Sequence, residues 1–280
     1  MGMPTKDDAN WGENRAAAMF SFDLDAEELW RTKIEADPAY DKPPIKTRGE
    51  FGPNVAVPRI LELFERYDRK CTFFVPGKVV ESYPETIQAI HEAGHELGHH
   101  GYTHTNPANM TTDEEEEELK RGLDAFDDVI GETPVGYRSP AADLSNNSLS
   151  LLADNGFTYE SSLIDTDIPY FHNLEGERNL IEIPFEWSLD DWPFFGFNMY
   201  PPLPYQSGIS PTQPVFDTWR REFDGLYKRG RCFVLTMHPQ IIGRAGRIDM
   251  LEELLQHMLA TGDTWVTTGE AIADHWDETH

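Results

Sequence analysis

Short apolar runs alternate along the chain with segments in which apolar residues recur every three or four positions. The runs predict buried strands, and the recurring pattern predicts helices that cover them. Strands that alternate with helices are typical of an α/β domain with a parallel sheet, either open or closed into a barrel. The predicted strands are 16–23, 71–75, 96–99, 135–137, 157–161, 180–184, 233–237 and 265–268, and the predicted helices are 57–67, 85–93, 112–130, 148–154, 215–228 and 250–260.

Three stretches show neither pattern, and we expect irregular loops at 29–53, 165–179 and 191–214. Long loops of α/β domains often build binding sites. The last stretch is rich in proline and aromatic residues, beginning with Trp192-Pro193-Phe194-Phe195 and continuing through Tyr200-Pro201-Pro202 and Pro204-Tyr205. We expect it to form the roof of a small pocket.

The length of 280 residues is compatible with one barrel domain. We expect a flexible N-terminal tail over 1–15, which is polar, and a single domain over 16–280. The tail lacks the apolar segment of a secretory signal, and no run approaches the roughly 18 apolar residues of a membrane span. We therefore expect a cytoplasmic protein without a membrane partner.

The chain is strongly acidic, with 50 acidic against 23 basic residues and a formal net charge of −27. Such a surface repels phosphate backbones and anionic lipids, so we expect no nucleic-acid partner.

The chain has two cysteines, Cys71 and Cys232, and each begins an apolar run. We expect both to be buried and unpaired, which fits a reducing compartment.

Candidate chemistry begins with Asp23 and Asp25, at the end of the first predicted strand. Residues two apart on a strand share a face, so both carboxylates can point into one cleft. Two exposed acids would give the same pattern, but the apolar strand before them favours a buried position. One carboxylate could then bind a metal while the other accepts a proton from water.

Histidines supply the second candidate group. His100 and His104 are four residues apart and share a face if this turn is helical. His95 and His99 have the same spacing, and spacing alone does not choose between the two pairs. Two imidazoles and one carboxylate with an open position form a typical catalytic zinc site.

Two further residues follow predicted strands. His238 comes after the run 233–237, and Arg138 comes after 135–137. Ligands of parallel α/β folds bind at the carboxyl ends of strands, where both residues are expected. An arginine buried there could keep a neighbouring carboxylate ionised.

In order along the chain, these residues resemble the polysaccharide deacetylase (NodB-homology) superfamily of carbohydrate esterases. Five segments carry the resemblance: Ser21-Phe22-Asp23-Leu24-Asp25, His100-Gly101-Tyr102-Thr103-His104, Arg138-Ser139-Pro140, Asp190-Asp191-Trp192 and Leu235-Thr236-Met237-His238-Pro239. The resemblance implies a single-domain distorted (β/α) barrel and a metal-dependent hydrolase of a carbon–nitrogen bond other than a peptide bond.

The resemblance also implies roles for individual residues. Asp25, His100 and His104 would be the ligands of a divalent metal, with Zn²⁺ the first choice. The catalytic residues would be Asp23 as general base, Arg138 beside it, His238 as general acid with Asp191 or Asp190 nearby, and the backbone N–H of Ala141 as oxyanion donor.

The sequence departs from the common pattern, because Leu24 separates two acids that are usually adjacent and followed by glycine. A long insertion containing Arg48-Gly49-Glu50-Phe51-Gly52 follows. Both features are similar to a subgroup of intracellular peptidoglycan-deacetylase-like proteins and cyclic imide hydrolases. We therefore expect a small cyclic imide or amide as substrate, with Trp192, Phe194 and Glu50 as substrate-binding residues.

Two alternatives remain open. The same residues serve an N-acetylglucosamine deacetylase acting on peptidoglycan or chitin-like chains. A non-catalytic sugar-binding protein on the same scaffold could stack sugars on Trp187 and Trp192, although core packing is the preferred interpretation of Trp187. The resemblance further implies a homo-oligomer.

Overall fold

A computed structural model describes residues 9–176, 179–198 and 208–280 of the chain. Nine strands of this part form one curled sheet in the order β6-β7-β5-β4-β3-β2-β1-β8, and β9 pairs with the N-terminal half of β1. All neighbours are parallel except β6 and β7. The strands are β1 Ala16–Asp23, β2 Thr72–Val75, β3 Glu96–His99, β4 Gly136–Tyr137, β5 Tyr159–Glu160, β6 Tyr170–Phe171, β7 Ile181–Glu182, β8 Cys232–Met237 and β9 Thr264–Thr267.

Twelve α-helices in the described ranges cover the sheet. They are α1 Glu28–Ala36, α2 Pro43–Phe51, α3 Val57–Arg66, α4 Gly77–Ser82, α5 Pro84–Glu92, α6 Thr112–Ile130, α7 Ser148–Asp154, α8 Trp192–Phe195, α9 Thr212–Arg229, α10 Pro239–Ile242, α11 Ala245–Leu259 and α12 Gly269–Thr279. Helix α6 begins with a capping box between Thr111 and Glu114 and ends at Gly131, whose φ of 72° suits glycine. A curled parallel sheet under helices confirms the predicted distorted (β/α) barrel.

The central strand β1 is buried on both faces, and its alternate residues enter two apolar cores. Phe20 and Phe22 belong to the larger core, between the sheet and the helices. Ala17 and Met19 belong to a second core with Trp276 of α12. Because side chains alternate along a strand, the face of Ala17 and Met19 also carries the polar residues at the end of β1.

Helices replace part of the predicted loop at 29–53. Helices α1 and α2 lie there, and a π-helical turn at Gly52–Ala56 joins α2 to α3. The prediction of an irregular segment was wrong because these helices bury few residues, Trp30 in α1 and Ile45 with Gly49 in α2, and so lack a strong apolar period. Four further helices, α4, α8, α10 and α12, and the two-residue strand β6 were also missed from the sequence.

The predicted tail at 1–15 falls partly on residues 1–8, which lie outside the described ranges. In its remainder, Trp11 is buried, and its ring lies 6.1 Å from that of Trp276. Among the described residues, none of the helices combines the length and apolar character needed to cross a bilayer. Cys71 and Cys232 are buried and unpaired, as expected.

Candidate active site

The carboxyl ends of neighbouring strands bring the predicted site residues to one edge of the sheet. Asp23 ends β1, His100 follows β3, Arg138 follows β4 and His238 follows β8. The parallel registers pair Asp23 with Phe74 of β2, and Phe22 with Met237 of β8. The strand ends are therefore level with one another, which is the usual position of the active site in such folds.

Asp25, His100 and His104 form a compact group of possible metal ligands. The Oδ1 atom of Asp25 lies 3.5 Å from Nε2 of His100 and 3.5 Å from Nε2 of His104. Tetrahedral bonds of about 2.1 Å place ligand atoms about 3.4 Å apart, so this spacing suits a bound cation.

The turn that carries the two histidines is not helical. Gly101 and His104 have φ values of 73° and 53°, and the imidazole centroids are 5.0 Å apart. The assumption of a helical turn was therefore wrong, although the imidazoles of His100 and His104 do lie next to each other. The competing pair has structural contacts instead: His99 Nε2–H donates to the Leu119 carbonyl oxygen, and His95 Nδ1 accepts from the N–H of Cys71.

The surroundings of the triad fit a divalent cation. Both carboxylate oxygens of Asp25 are buried without a hydrogen-bond partner among the described residues, and burial raises the pKa of Asp25 to about 8. A buried charge without a partner is costly, and a cation between the ligands would remove that cost. Burial lowers the pKa of His100 and His104, which favours the neutral, metal-binding imidazole. The His100 Nδ1–H donates to the Arg138 carbonyl oxygen at 2.7 Å, so Nε2 presents its lone pair to the group.

Asp23 is held by Arg138. The Nη1 group of Arg138 donates to Asp23 Oδ1 at 3.0 Å and to Ser21 Oγ at 2.7 Å, while Nε and Nη2 donate to the carbonyl and hydroxyl oxygens of Ser161. Burial by itself would raise the pKa of Asp23, but Arg138, together with smaller contributions from His100 and His238, lowers the pKa below its usual value. Asp23 is therefore an ionised carboxylate that can accept a proton.

His238 has the opposite character. Its Nδ1–H donates to Asp191 Oδ1 at 2.7 Å, and its backbone N–H donates to Asp191 Oδ2 at 3.0 Å. Burial by itself would lower the pKa of His238, but Asp191, together with smaller contributions from Asp190 and Asp25, raises the pKa well above its usual value. Asp190 is more distant, with Oδ1 3.9 Å from the same nitrogen. The imidazolium form can therefore donate a proton from Nε2.

The group of possible metal ligands lines a cleft of about 360 Å³, together with Asp23, Arg138 and His238. Trp192 lies at its wall, with its ring 5.2 Å from that of His238, and Ala141 lines it with a left-handed backbone at φ 61°. Trp187 also lines the cleft and is 44% exposed, so the interpretation of Trp187 as a core residue was wrong. An exposed indole beside a catalytic group is a suitable platform for an amphipathic ligand.

Two predicted substrate-binding residues do not line the cleft. Phe194 packs on Trp219, with ring centroids 6.4 Å apart, because its position in α8 directs it to the core. Glu50 lies on α2, outside the lining residues. Of the expected roof, residues 199–207 lie outside the described ranges.

Sequence reasoning also missed residues that shape the site. Ser21 precedes Asp23 by two positions on the same strand face, and this spacing was a usable signal. Ser161 and the lining residues Leu29, Lys33 and Phe185 carry no local motif, because they reach the cleft through the tertiary fold.

A group of possible metal ligands at the strand edge, beside an ionised carboxylate and a protonated imidazole, is the arrangement that a metal-dependent hydrolase needs. The polysaccharide deacetylase family profile matches residues 49–160. A peptidoglycan deacetylase of Helicobacter pylori is 33% identical over 281 aligned residues, covering 91% of this chain and 94% of the relative. The chain belongs to the polysaccharide deacetylase family, and it is a hydrolase of carbon–nitrogen bonds other than peptide bonds.

Solved structures agree with this assignment. A crystal structure from Mycobacterium smegmatis assigned to the polysaccharide deacetylases superposes with a TM-score of 0.90 at 35% identity, covering 96% of this chain and 93% of that one. An allantoinase superposes with a TM-score of 0.85 at 24% identity, covering 100% and 95% of the two chains. At that identity the allantoinase shows the shared fold alone.

Proposed function

We propose that the protein removes acetyl groups from N-acetylated amino sugars of a peptidoglycan-like or chitin-like chain. The placement of Asp23 and His238 beside the Asp25–His100–His104 triad carries this proposal, because amide hydrolysis needs both a base and an acid. Asp23 Oδ2 lies 3.9 Å from Nε2 of His100, and His238 Nε2 lies 3.9 Å from Oδ2 of Asp25. The near full-length similarity to a peptidoglycan deacetylase supports the substrate class. The deacetylase alternative of the sequence analysis thus fits better than the cyclic imide.

In this proposal Asp25, His100 and His104 hold a divalent cation, and Zn²⁺ is our first choice because one carboxylate and two imidazoles suit it. Bound there, the cation supplies Lewis-acid polarisation of the amide carbonyl. Beside such a cation, the buried Asp25 carboxylate would keep its charge.

The protein's own groups carry the proton transfers. Asp23 accepts a proton from the attacking water, and Arg138 keeps that carboxylate ionised and oriented. The backbone N–H of Ala141 donates to the oxygen that becomes negative. His238 protonates the leaving nitrogen, and Asp191 keeps the imidazole charged until it does so. Such acid–base groups each contribute roughly 10²–10⁴-fold to rate.

Exposed Trp187 and half-buried Trp192 complete the proposed sugar site. Both indoles line the cleft beside the acid and the base, where their faces can cover the apolar face of a pyranose ring. The imide hypothesis, by contrast, included Phe194 and Glu50, and neither residue lines the cleft.

Acetate release from N-acetylglucosamine oligomers, measured beside ring opening of succinimide, tests the substrate class. We expect acetate release by the metal-loaded enzyme and little turnover of the imide. Asp23→Asn serves as the control, because it should slow acetate release by roughly 10²–10⁴-fold while the cation stays bound. Ring opening without acetate release would overturn the deacetylase proposal and restore the imide, and a sugar-binding protein would release neither product.

A further inference from the structure

A second buried cluster consists of Glu160 of β5, Glu182 of β7 and His172, which follows β6. We propose that it is a second divalent-cation site, separate from the catalytic triad, that takes a first-row cation such as Zn²⁺ or Mn²⁺. This proposal does not depend on the substrate of the enzyme.

The spacing of the ligand atoms is the first argument. Nε2 of His172 lies 3.2 Å from Oε1 of Glu160 and 3.3 Å from Oε2 of Glu182. These separations match those within the Asp25–His100–His104 triad and suit ligand bonds of about 2.0–2.2 Å in tetrahedral geometry. Carboxylate and imidazole together are ligands that Zn²⁺, Mn²⁺ and Fe²⁺ accept.

The position of the two glutamates is the second argument. Glu160 of β5 and Glu182 of β7 are directly paired across the parallel strands. Like charges directly opposite one another destabilise a sheet unless something bridges them. Within the described residues, the imidazole of His172, on the segment after β6, contacts both carboxylates.

Burial is the third argument. Both glutamate side chains are fully buried, and the His172 side chain is 5% exposed. Oε2 of Glu160 and Oε2 of Glu182 lack a hydrogen-bond partner among the described residues, although the N–H of Leu163 donates to Oε1 of Glu182 at 3.0 Å. Buried carboxylate oxygens without partners are costly, and a cation would satisfy both.

The cluster also adjoins the catalytic machinery. Ser161 follows Glu160, accepts two hydrogen bonds from Arg138 and donates its hydroxyl to the carbonyl oxygen of Ile183. A cation bound between β5 and β7 would therefore help to fix the position of Ser161, which accepts hydrogen bonds from Arg138. Through Arg138 it would also help to position Asp23. The proposed role is structural, since the cluster is not part of the cleft lining.

Metal stoichiometry tests the proposal. Protein stripped with a chelator is dialysed against Zn²⁺ or Mn²⁺, washed, and analysed for metal per chain. We expect two equivalents for the wild type, one for the double variant Glu160→Gln/Glu182→Gln, and one for Asp25→Asn. His257→Gln, which alters the half-exposed pair between His257 and Asp224, is the matched control and should keep two.

Each outcome is informative. The proposal is overturned if the wild type binds one equivalent of metal and Asp25→Asn binds none. It is also overturned if the double variant keeps two equivalents. In either case the two glutamates share a proton and bind no cation. If the double variant loses one equivalent while Asp25→Asn loses none, the second site stands and the catalytic assignment fails. If the double variant does not fold, calorimetric titration with Zn²⁺ compares Asp25→Asn with the double variant Asp25→Asn/His172→Gln. We expect one binding site in the first protein and none in the second.

Discussion

At the scale of single residues, Asp23 and Asp25 show how neighbours divide the work of two similar carboxylates. Asp23 ends β1 and Asp25 lies two positions beyond it, yet Asp23 contacts a guanidinium and Asp25 contacts two imidazoles. Their environments, more than their chemistry, suit Asp23 to the proposed role of base and Asp25 to that of metal ligand.

Replacing each aspartate by asparagine should separate these roles. In Asp23→Asn we expect the metal to stay bound and kcat to fall by roughly 10²–10⁴-fold, because the proton acceptor is gone. In Asp25→Asn we expect loss of catalytic metal together with loss of rate. Metal analysis and initial rates on the same samples check both. Metal loss in Asp23→Asn, with full retention in Asp25→Asn, would contradict the assignment.

Asp191→Asn should move the alkaline limb of the rate profile. The Asp191 carboxylate raises the pKa of His238, and the acid must be protonated to act, so activity is present below that pKa and lost above it. Removing the charge lowers the pKa, and we therefore expect the alkaline limb of kcat/KM to shift to lower pH. An unchanged limb, measured across the same buffers, would show that His238 is not the acid.

At the scale of elements, the sequence predicted what local pattern determines. Strands β1 and β3 and helices α6 and α7 have the predicted bounds to the residue, because each has a clear apolar pattern or cap signals. The sequence also located the polar residues at the carboxyl ends of the strands, such as Asp23 and His238. Local pattern did not reveal the helices α1 and α2 or the roles of Trp187 and Ser161. These features depend on contacts with residues that are distant in sequence.

The contact of α6 with β3 gives a test at this scale. A Cβ added at Gly122 of α6 would lie 1.9 Å from Nε2 of His99, which is buried and hydrogen-bonded to Leu119. We expect Gly122→Ala to lower the free energy of unfolding by about 1–3 kcal/mol through overpacking. Urea unfolding measures the change.

Gly225→Ala in α9 is the matched control, because the nearest atom to its added Cβ is the flexible tip of Arg229 at 3.4 Å. There the higher helix propensity of alanine should raise the free energy of unfolding by about 0.5–1 kcal/mol. Equal effects at the two glycines would contradict the close packing of α6 on His99.

At the scale of the whole molecule, a net charge of −27 opposes the compact state. Screening should relieve this repulsion, since the Debye length falls from about 30 Å at 0.01 M salt to about 10 Å at 0.1 M. We expect the urea midpoint to rise as sodium chloride is added over this range. A midpoint that stays constant or falls would show that paired charges outweigh the net repulsion.

The predicted homo-oligomer belongs to the same scale, and sedimentation at both salt concentrations tests it.

The requirement for a cation at Asp25, His100 and His104 is the central claim, and restoration of activity tests it most directly. Acetate release from N-acetylglucosamine oligomers is measured for chelator-stripped wild type and Asp25→Asn, before and after Zn²⁺ is added back. We expect the stripped wild type to be inactive and to recover with Zn²⁺, while Asp25→Asn stays inactive. Full activity of the stripped enzyme, or equal recovery of the variant, would contradict the claim.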